Sequence, residues 1–153
     1  MIYTGATDSL RDLDKIVRQT TADLRPYLDR FDVIAVTGMS GALVGAPVAL
    51  RLKKPLAVIR KDTGDSHHGR GAIIGHAELR QSRALFLDDF VSGGTSRLRV
   101  ISAALKVKGK VTAQYLYRDR RFEELTDGRW RSPTYFDATP YARFDEPALE
   151  VPF

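Results

Sequence analysis

The sequence predicts an α/β fold, a mostly parallel central sheet flanked by helices, from three observations. Short apolar runs alternate with amphipathic segments along the chain. Two of the runs, VIAV and ALFL, are apolar at four consecutive positions, which suits strands covered on both faces. The runs and the segments between them also group into two successive strand-helix-strand units.

The elements follow in order. Residues 8–29 read as helical, because Leu10, Leu13, Ile16 and Val17 fall on one stripe and Thr7, Asp8 and Ser9 offer N-caps; Pro26 is expected to bend or restart the segment. Residues 32–37 (DVIAVT) read as a buried strand, 38–41 as a turn, and 42–53 as a helix that carries Pro47 near its first turn. Residues 55–60 (PLAVIR) form the next strand and complete the first unit. From 61 to 71 (KDTGDSHHGRG) the chain has three glycines, no aliphatic residue and many polar groups, which predicts a mobile loop. A short strand over 72–79, the strand 83–88, a helix over 95–107 and a strand over 110–117 supply the second unit. Beyond Asp119 the pattern loosens. There Trp130, Tyr135, Phe136, Tyr141 and Phe144 predict a short strand or two and an ordered tail, so 119–153 is expected as a hood or tail on a single domain covering 1–153.

Composition narrows the function classes. With 153 residues, 43% of them hydrophobic, the chain can bury one sizeable core. No stretch is apolar enough to span a bilayer, and the first residues lack a basic segment followed by an apolar one, so a cytoplasmic protein is expected. The absence of cysteine excludes disulfides and thiolate metal sites. The net charge is +5, but the basic residues run from Arg11 to Arg143 interleaved with acids, without a nucleic-acid-binding fingerprint. A polyanionic small ligand accounts for the charge equally well, so nucleic acid is not an expected partner.

The most informative segment is 84–96 (ALFLDDFVSGGTS). Its apolar run leaves the acids Asp88 and Asp89 where a central strand exits the sheet, the edge at which ligands bind in open α/β folds. The hydroxyl-rich turn that follows can bring backbone N–H groups to an anion, and Leu98, Ile101 and Leu105 mark a helix starting at the same place. Either half alone also describes an ordinary turn; together they describe a site for a phosphorylated sugar.

The segment resembles the phosphoribosyl-diphosphate (PRPP) signature of the type I phosphoribosyltransferases, whose fold is Rossmann-like. Asp88 and Asp89 match the acids, Phe90 and Val91 the apolar pair, and Ser92, Gly93, Gly94, Thr95 and Ser96 the loop; Phe90 is bulkier than usual, and Gly93 is commonly Thr, Ala or Ser. The resemblance implies that Asp88 and Asp89 hold the ribose hydroxyls, directly or through Mg²⁺, that residues 92–96 cradle the 5′-phosphate, and that the protein is a homodimer.

A PRPP site needs a second anion loop, and Thr37, Gly38, Met39, Ser40 and Gly41 join the first strand to a helix with glycines and a hydroxyl suited to one. In the resembling family this is the pyrophosphate loop, often with a strained or cis peptide, for which Met39-Ser40 is the place to look. Arg60 and Lys61 end the next strand and can grip pyrophosphate oxygens, as the Arg-Lys pair of orotate and adenine phosphoribosyltransferases implies. The implied reaction is transfer of the phosphoribosyl group to a nitrogenous base, an orotate-like pyrimidine or a purine. Lys61 and Arg70 would neutralise the departing pyrophosphate, residues 62–71 would fold down as a lid, and the base itself would be the nucleophile.

Ser92 stands where the 6-oxopurine enzymes usually carry a third acid. In outline the loop is closest to orotate enzymes, with Arg60-Lys61 and His68-Gly69, but Gly64 replaces the catalytic lysine and one residue is inserted. A PRPP- or nucleotide-binding regulator without turnover is therefore the alternative. Adjacent His67 and His68 do not make a metal site. Tyr117, Trp130 and Tyr135 are candidates to stack on a flat base, with core or dimer contact as the commoner role of such residues, and His76 is expected to be structural.

Overall fold

The computed structural model describes residues 10–60, 73–91 and 94–124. Helix α1 (Leu10–Leu24) is followed by a 3₁₀ turn (Arg25–Arg30), then β1 (Val33–Thr37), α2 (Gly38–Leu52), β2 (Leu56–Ile59), β3 (Ile73–Ile74), α3 (His76–Leu79), β4 (Arg83–Asp88), α4 (Thr95–Lys106), β5 (Lys110–Leu116) and β6 (Arg121–Glu124). The six strands form one sheet in the order β3-β2-β1-β4-β5-β6. The β1–β2, β1–β4 and β4–β5 pairs are parallel, and the edge strands β3 and β6 run antiparallel. Chain order therefore reverses between β1 and β4, which makes the crevice beyond their C-terminal ends the topological switch point.

Alternation along the two central strands divides the core. Val33, Ala35, Ala84 and Phe86 pack with Val100 and Ala104 of α4 on one face, whereas Ile34, Val36, Leu85 and Leu87 pack with Val44 and Val48 of α2 and Ile16 and Val17 of α1 on the other. Glycine sets how closely α2 approaches β1: a Cβ at Gly45 would stand 2.6 Å from Cγ1 of Val36. At the far end of the same strands, Asp32 holds Arg83 in a fork, with Nε donating to Oδ2 at 3.1 Å and Nη2 to Oδ1 at 3.0 Å. This pins the start of β1 to the start of β4, so the two C-terminal ends are held in register.

Three expectations need correction. Helix α2 begins at Gly38 rather than at 42, because the glycine-rich turn is itself the first helical turn. Pro47 consequently lies in the helix interior; the carbonyl it cannot bond belongs to Leu43, on the exposed side of the helix. The expected strand over 72–79 is a two-residue strand followed by α3, with Gly75 at φ +80° making the turn between them. Pro26 does end α1 and opens the 3₁₀ turn. The expected loop 61–71 and tail beyond Glu124 lie outside the described residues.

Candidate functional site

The two acids leave β4 almost wholly buried, Asp88 at 5% and Asp89 at 6% exposure. Backbone geometry holds them there. The chain beyond β5 continues the ladder, with the N–H of Tyr117 donating to the Asp88 carbonyl at 3.0 Å and that of Arg118 to the Asp89 carbonyl at 3.1 Å. Oδ1 of Asp88 accepts the N–H of Asp89 and the hydroxyl of Ser40, each at 2.9 Å, and Oδ1 of Asp89 accepts the N–H of Phe90 at 2.9 Å. Burial, reinforced by the neighbouring Asp89 carboxylate, pushes the Asp88 carboxyl up to about 7. A carboxylate poised at that value is ionised readily by an approaching cation.

Across the crevice, the loop after β1 supplies the second half. Thr37 is extended and precedes the helix, but its hydroxyl does not cap α2; it donates to the Ile59 carbonyl at the end of β2, at 2.7 Å. Gly38 has φ +74°, which turns the backbone sharply into α2. Gly41 makes a close approach: a Cβ there would stand 3.1 Å from the Leu87 carbonyl oxygen, so the first turn of α2 sits directly over the end of β4. Among the described residues every peptide bond is trans, so the unusual backbone of this loop is the left-handed Gly38 and not the Met39-Ser40 bond. Gly94, also left-handed at φ +79°, precedes α4 and turns its N-terminus toward the same edge.

The fold thus brings Asp88, Asp89, Thr37, Gly38, Ser40 and Gly41 together, with Gly94, Thr95 and Ser96 opening α4. Met39 belongs to the same turn, but its side chain is 73% exposed. Arg60 follows Ile59 and is exposed beside Thr37. Lys61, Gly64, His67, His68, Arg70, Ser92, Gly93, Trp130 and Tyr135 lie outside the described residues. Of the two readings of Tyr117, core contact holds and stacking does not: it is 4% exposed, and its hydroxyl donates to the Ser40 carbonyl at 3.1 Å, which makes it a strut under the loop of residues 37–41. Arg118 and Arg99 were not singled out from the sequence. Arg118 lies over the Phe90 ring at 5.2 Å, beside the acids, and Arg99 reaches Thr37 from α4. Nothing in one-dimensional spacing marks either, although Arg118 lies two residues beyond the end of β5.

Among the described residues no three His, Cys, Asp or Glu side chains cluster, so a metal held wholly by protein is not built here. Two adjacent carboxylates suit a hard cation that keeps waters and ligand oxygens.

No family model matches the chain. It is 31% identical over 90 residues to the orotate phosphoribosyltransferase of Pyrobaculum aerophilum, covering 59% of this chain and 46% of that protein. It is 30% identical over 102 residues to the orotate phosphoribosyltransferase of Cenarchaeum symbiosum, covering 67% and 49%. The chain spans about half the length of the curated relatives it matches. Among solved structures, the orotate phosphoribosyltransferase of Francisella tularensis superposes with a TM-score of 0.57 at 18% identity, over 71% of this chain and 52% of that one. The adenine phosphoribosyltransferase of Thermoanaerobacter pseudethanolicus gives 0.56 at 19%, over 72% and 70%. In sequence the chain is thus similar to orotate phosphoribosyltransferases over about half their length, and its fold is that of the type I phosphoribosyltransferases.

Proposed function

We propose that this protein transfers the phosphoribosyl group of PRPP to a nitrogenous base and releases pyrophosphate. The observation that carries the reading is the junction at the switch point, where buried Asp88 and Asp89 at the end of β4 face the loop of residues 37–41 at the end of β1. A ribose bound between them would present its hydroxyls to the acids and its diphosphate to the loop. In the reaction the bond from C1 to the pyrophosphate oxygen breaks, its electron pair leaves with pyrophosphate, and a ring nitrogen of the base bonds to C1. The base loses any proton that nitrogen carried to solvent. The protein's part is to orient the two reactants and to balance charge on the leaving group.

The donor set fits Mg²⁺, with Asp88 and Asp89 to hold it directly or through water; the ion would contribute positive charge toward the pyrophosphate oxygens. Assignment of Lys61 and Arg70 to pyrophosphate, and of Ser92 and Gly93 to the 5′-phosphate cradle with Gly94, Thr95 and Ser96, rests on the sequence motif. An orotate-like acceptor is favoured by the names of both curated relatives and by Ser92 in place of a third acid. The second reading, a PRPP-binding regulator, is supported by Gly64 where orotate enzymes have lysine. No helix among the described residues is long and apolar enough to cross a membrane, in keeping with the cytoplasmic location we propose. A homodimer is supported by an exposed apolar stripe on α2, formed by Met39, Leu43, Ala46 and Leu50 at the four-three-four spacing of a helix-pairing seam.

The test is pyrophosphate release from PRPP and Mg²⁺ with a panel of bases, using Asp88→Asn/Asp89→Asn as the control. Release with orotate, abolished in the control, supports the enzyme. PRPP binding without release from any base leaves the regulator, and absence of both binding and release rejects both readings.

A further inference from the structure

Arg99 occupies the second turn of α4, half-buried, and projects along the sheet edge to the end of β1, where its Nη1 donates to the Thr37 hydroxyl oxygen at 3.4 Å. That oxygen has already committed its hydrogen to the Ile59 carbonyl. The contact is therefore long, and its acceptor is neutral. Among the described residues Arg99 meets no carboxylate. Partial burial of a guanidinium carries a desolvation cost that a neutral acceptor at this distance offsets poorly, and the nearby N-terminus of α4 adds a partial positive charge. Arg60, one residue beyond Ile59, also meets no carboxylate among the described residues. The cations Arg99 and Arg60 thus stand at the ends of β1 and β2, whereas the acids at the end of β4 have Arg118 beside them.

We propose that Arg99 is a diphosphate-binding residue, reaching from α4 across the switch point to the loop of residues 37–41. The assignment rests on the PRPP reading above and adds a group from the opposite helix to it. The placement explains why a cation belongs on this turn of α4. The helix start, at Gly94, Thr95 and Ser96, serves one phosphate, while one turn further along Arg99 leans to the other anion loop. Its planar fork can hold two diphosphate oxygens while Thr37 keeps it oriented. The reciprocal contact is that of Ser40, which crosses in the other direction from α2 to Asp88.

The test is calorimetric titration of inorganic pyrophosphate and, separately, ribose 5-phosphate into wild type, Arg99→Gln and Arg99→Lys, all with Mg²⁺, alongside thermal unfolding. The expected result is a loss of pyrophosphate affinity of roughly ten-fold or more in Arg99→Gln, with partial retention in Arg99→Lys. Ribose 5-phosphate affinity should stay within about two-fold, and the unfolding midpoint should hold. Unchanged pyrophosphate affinity in Arg99→Gln overturns the proposal. So does an equal loss of both ligands with a lowered midpoint, which would make Arg99 a strut between α4 and β1. Wild-type protein that binds neither ligand rejects the PRPP reading itself, and Arg99's role falls with it.

Discussion

The Ser40 hydroxyl donates to Oδ1 of Asp88 at 2.9 Å, so the first turn of the helix after β1 is fastened to the acid that ends β4, 48 residues away in sequence. The two halves of the site are therefore one hydrogen-bonded unit, and disturbing the loop disturbs the acid. The hydroxyl also favours the ionised carboxylate, against the burial that opposes it.

Ser40→Ala is expected to keep the fold and to weaken PRPP binding by roughly ten-fold, the effect of losing one hydrogen bond to a charged group. Ser40→Thr, which retains the hydroxyl, should recover most of the affinity. Titration calorimetry with PRPP and Mg²⁺ reads both variants, and an Ala variant that binds like wild type would show that the contact carries no positioning role.

Asp88→Asn separates stability from function. Two adjacent, nearly inaccessible carboxyls repel one another and are poorly solvated, so neutralising one should raise the thermal midpoint by several degrees at neutral pH. The same change should lower PRPP binding with Mg²⁺ by about a hundred-fold, since one of the two carboxylates proposed to hold the cation becomes a neutral amide. A lower midpoint in calorimetry would mean that the carboxylate is a net structural asset and would contradict the strain assigned to the pair.

The stripe on α2 makes an oligomer prediction. Leu50 is 80% exposed and Met39 73%, an arrangement that leaves apolar surface in water unless another helix covers it. Leu50→Glu should convert a dimer to a monomer in sedimentation velocity without lowering the melting midpoint of the monomer. If wild type already sediments as a monomer across micromolar concentrations, the stripe is not a pairing seam.

Much of this architecture was legible because it rests on local pattern. The runs containing Val33 to Val36 and Ala84 to Leu87 are buried on alternating faces, as continuous apolar stretches require, and both acids fall where β4 leaves the sheet. The start of α2 is not legible in sequence because glycine at 38 and 41 signals a turn, whereas the close approach of Gly41 to the Leu87 carbonyl exists only once β4 lies beside β1. The two readings of Tyr117, stacking or core contact, are separated only by the fold for a related reason. An aromatic residue near a site suggests stacking, but burial decides between ring face and hydroxyl, and here the hydroxyl reaches Ser40 from 77 residues away. Arg99 was invisible because a cation in an amphipathic helix reads as a solvated face until the sheet edge shows where it points.

The last prediction concerns pH and lies away from the site, where Asp23 of α1 anchors the β5–β6 hairpin. Its Oδ1 accepts Nη2 of Arg120 at 2.8 Å, and its Oδ2 accepts Nε of Arg120 at 3.0 Å and the Tyr115 hydroxyl at 2.6 Å. Hydrogen bonds from Arg120 first, then the Tyr115 hydroxyl and the Arg120 charge, hold the carboxyl below its usual 3.8, against an opposing contribution from burial. A depressed acid stabilises the folded state above its unfolded value, and that stability is lost as pH falls through the folded value, below 3.8. Asp23→Asn should therefore lose about 1 kcal/mol at neutral pH, a modest figure because the cationic partner is half exposed to solvent. Urea unfolding of both proteins, repeated at successively lower pH, should show the gap unchanged down to the ordinary carboxylate range and closing beneath it. A gap that stays constant through that range would assign the loss to amide geometry at Tyr115 rather than to the charge on Asp23.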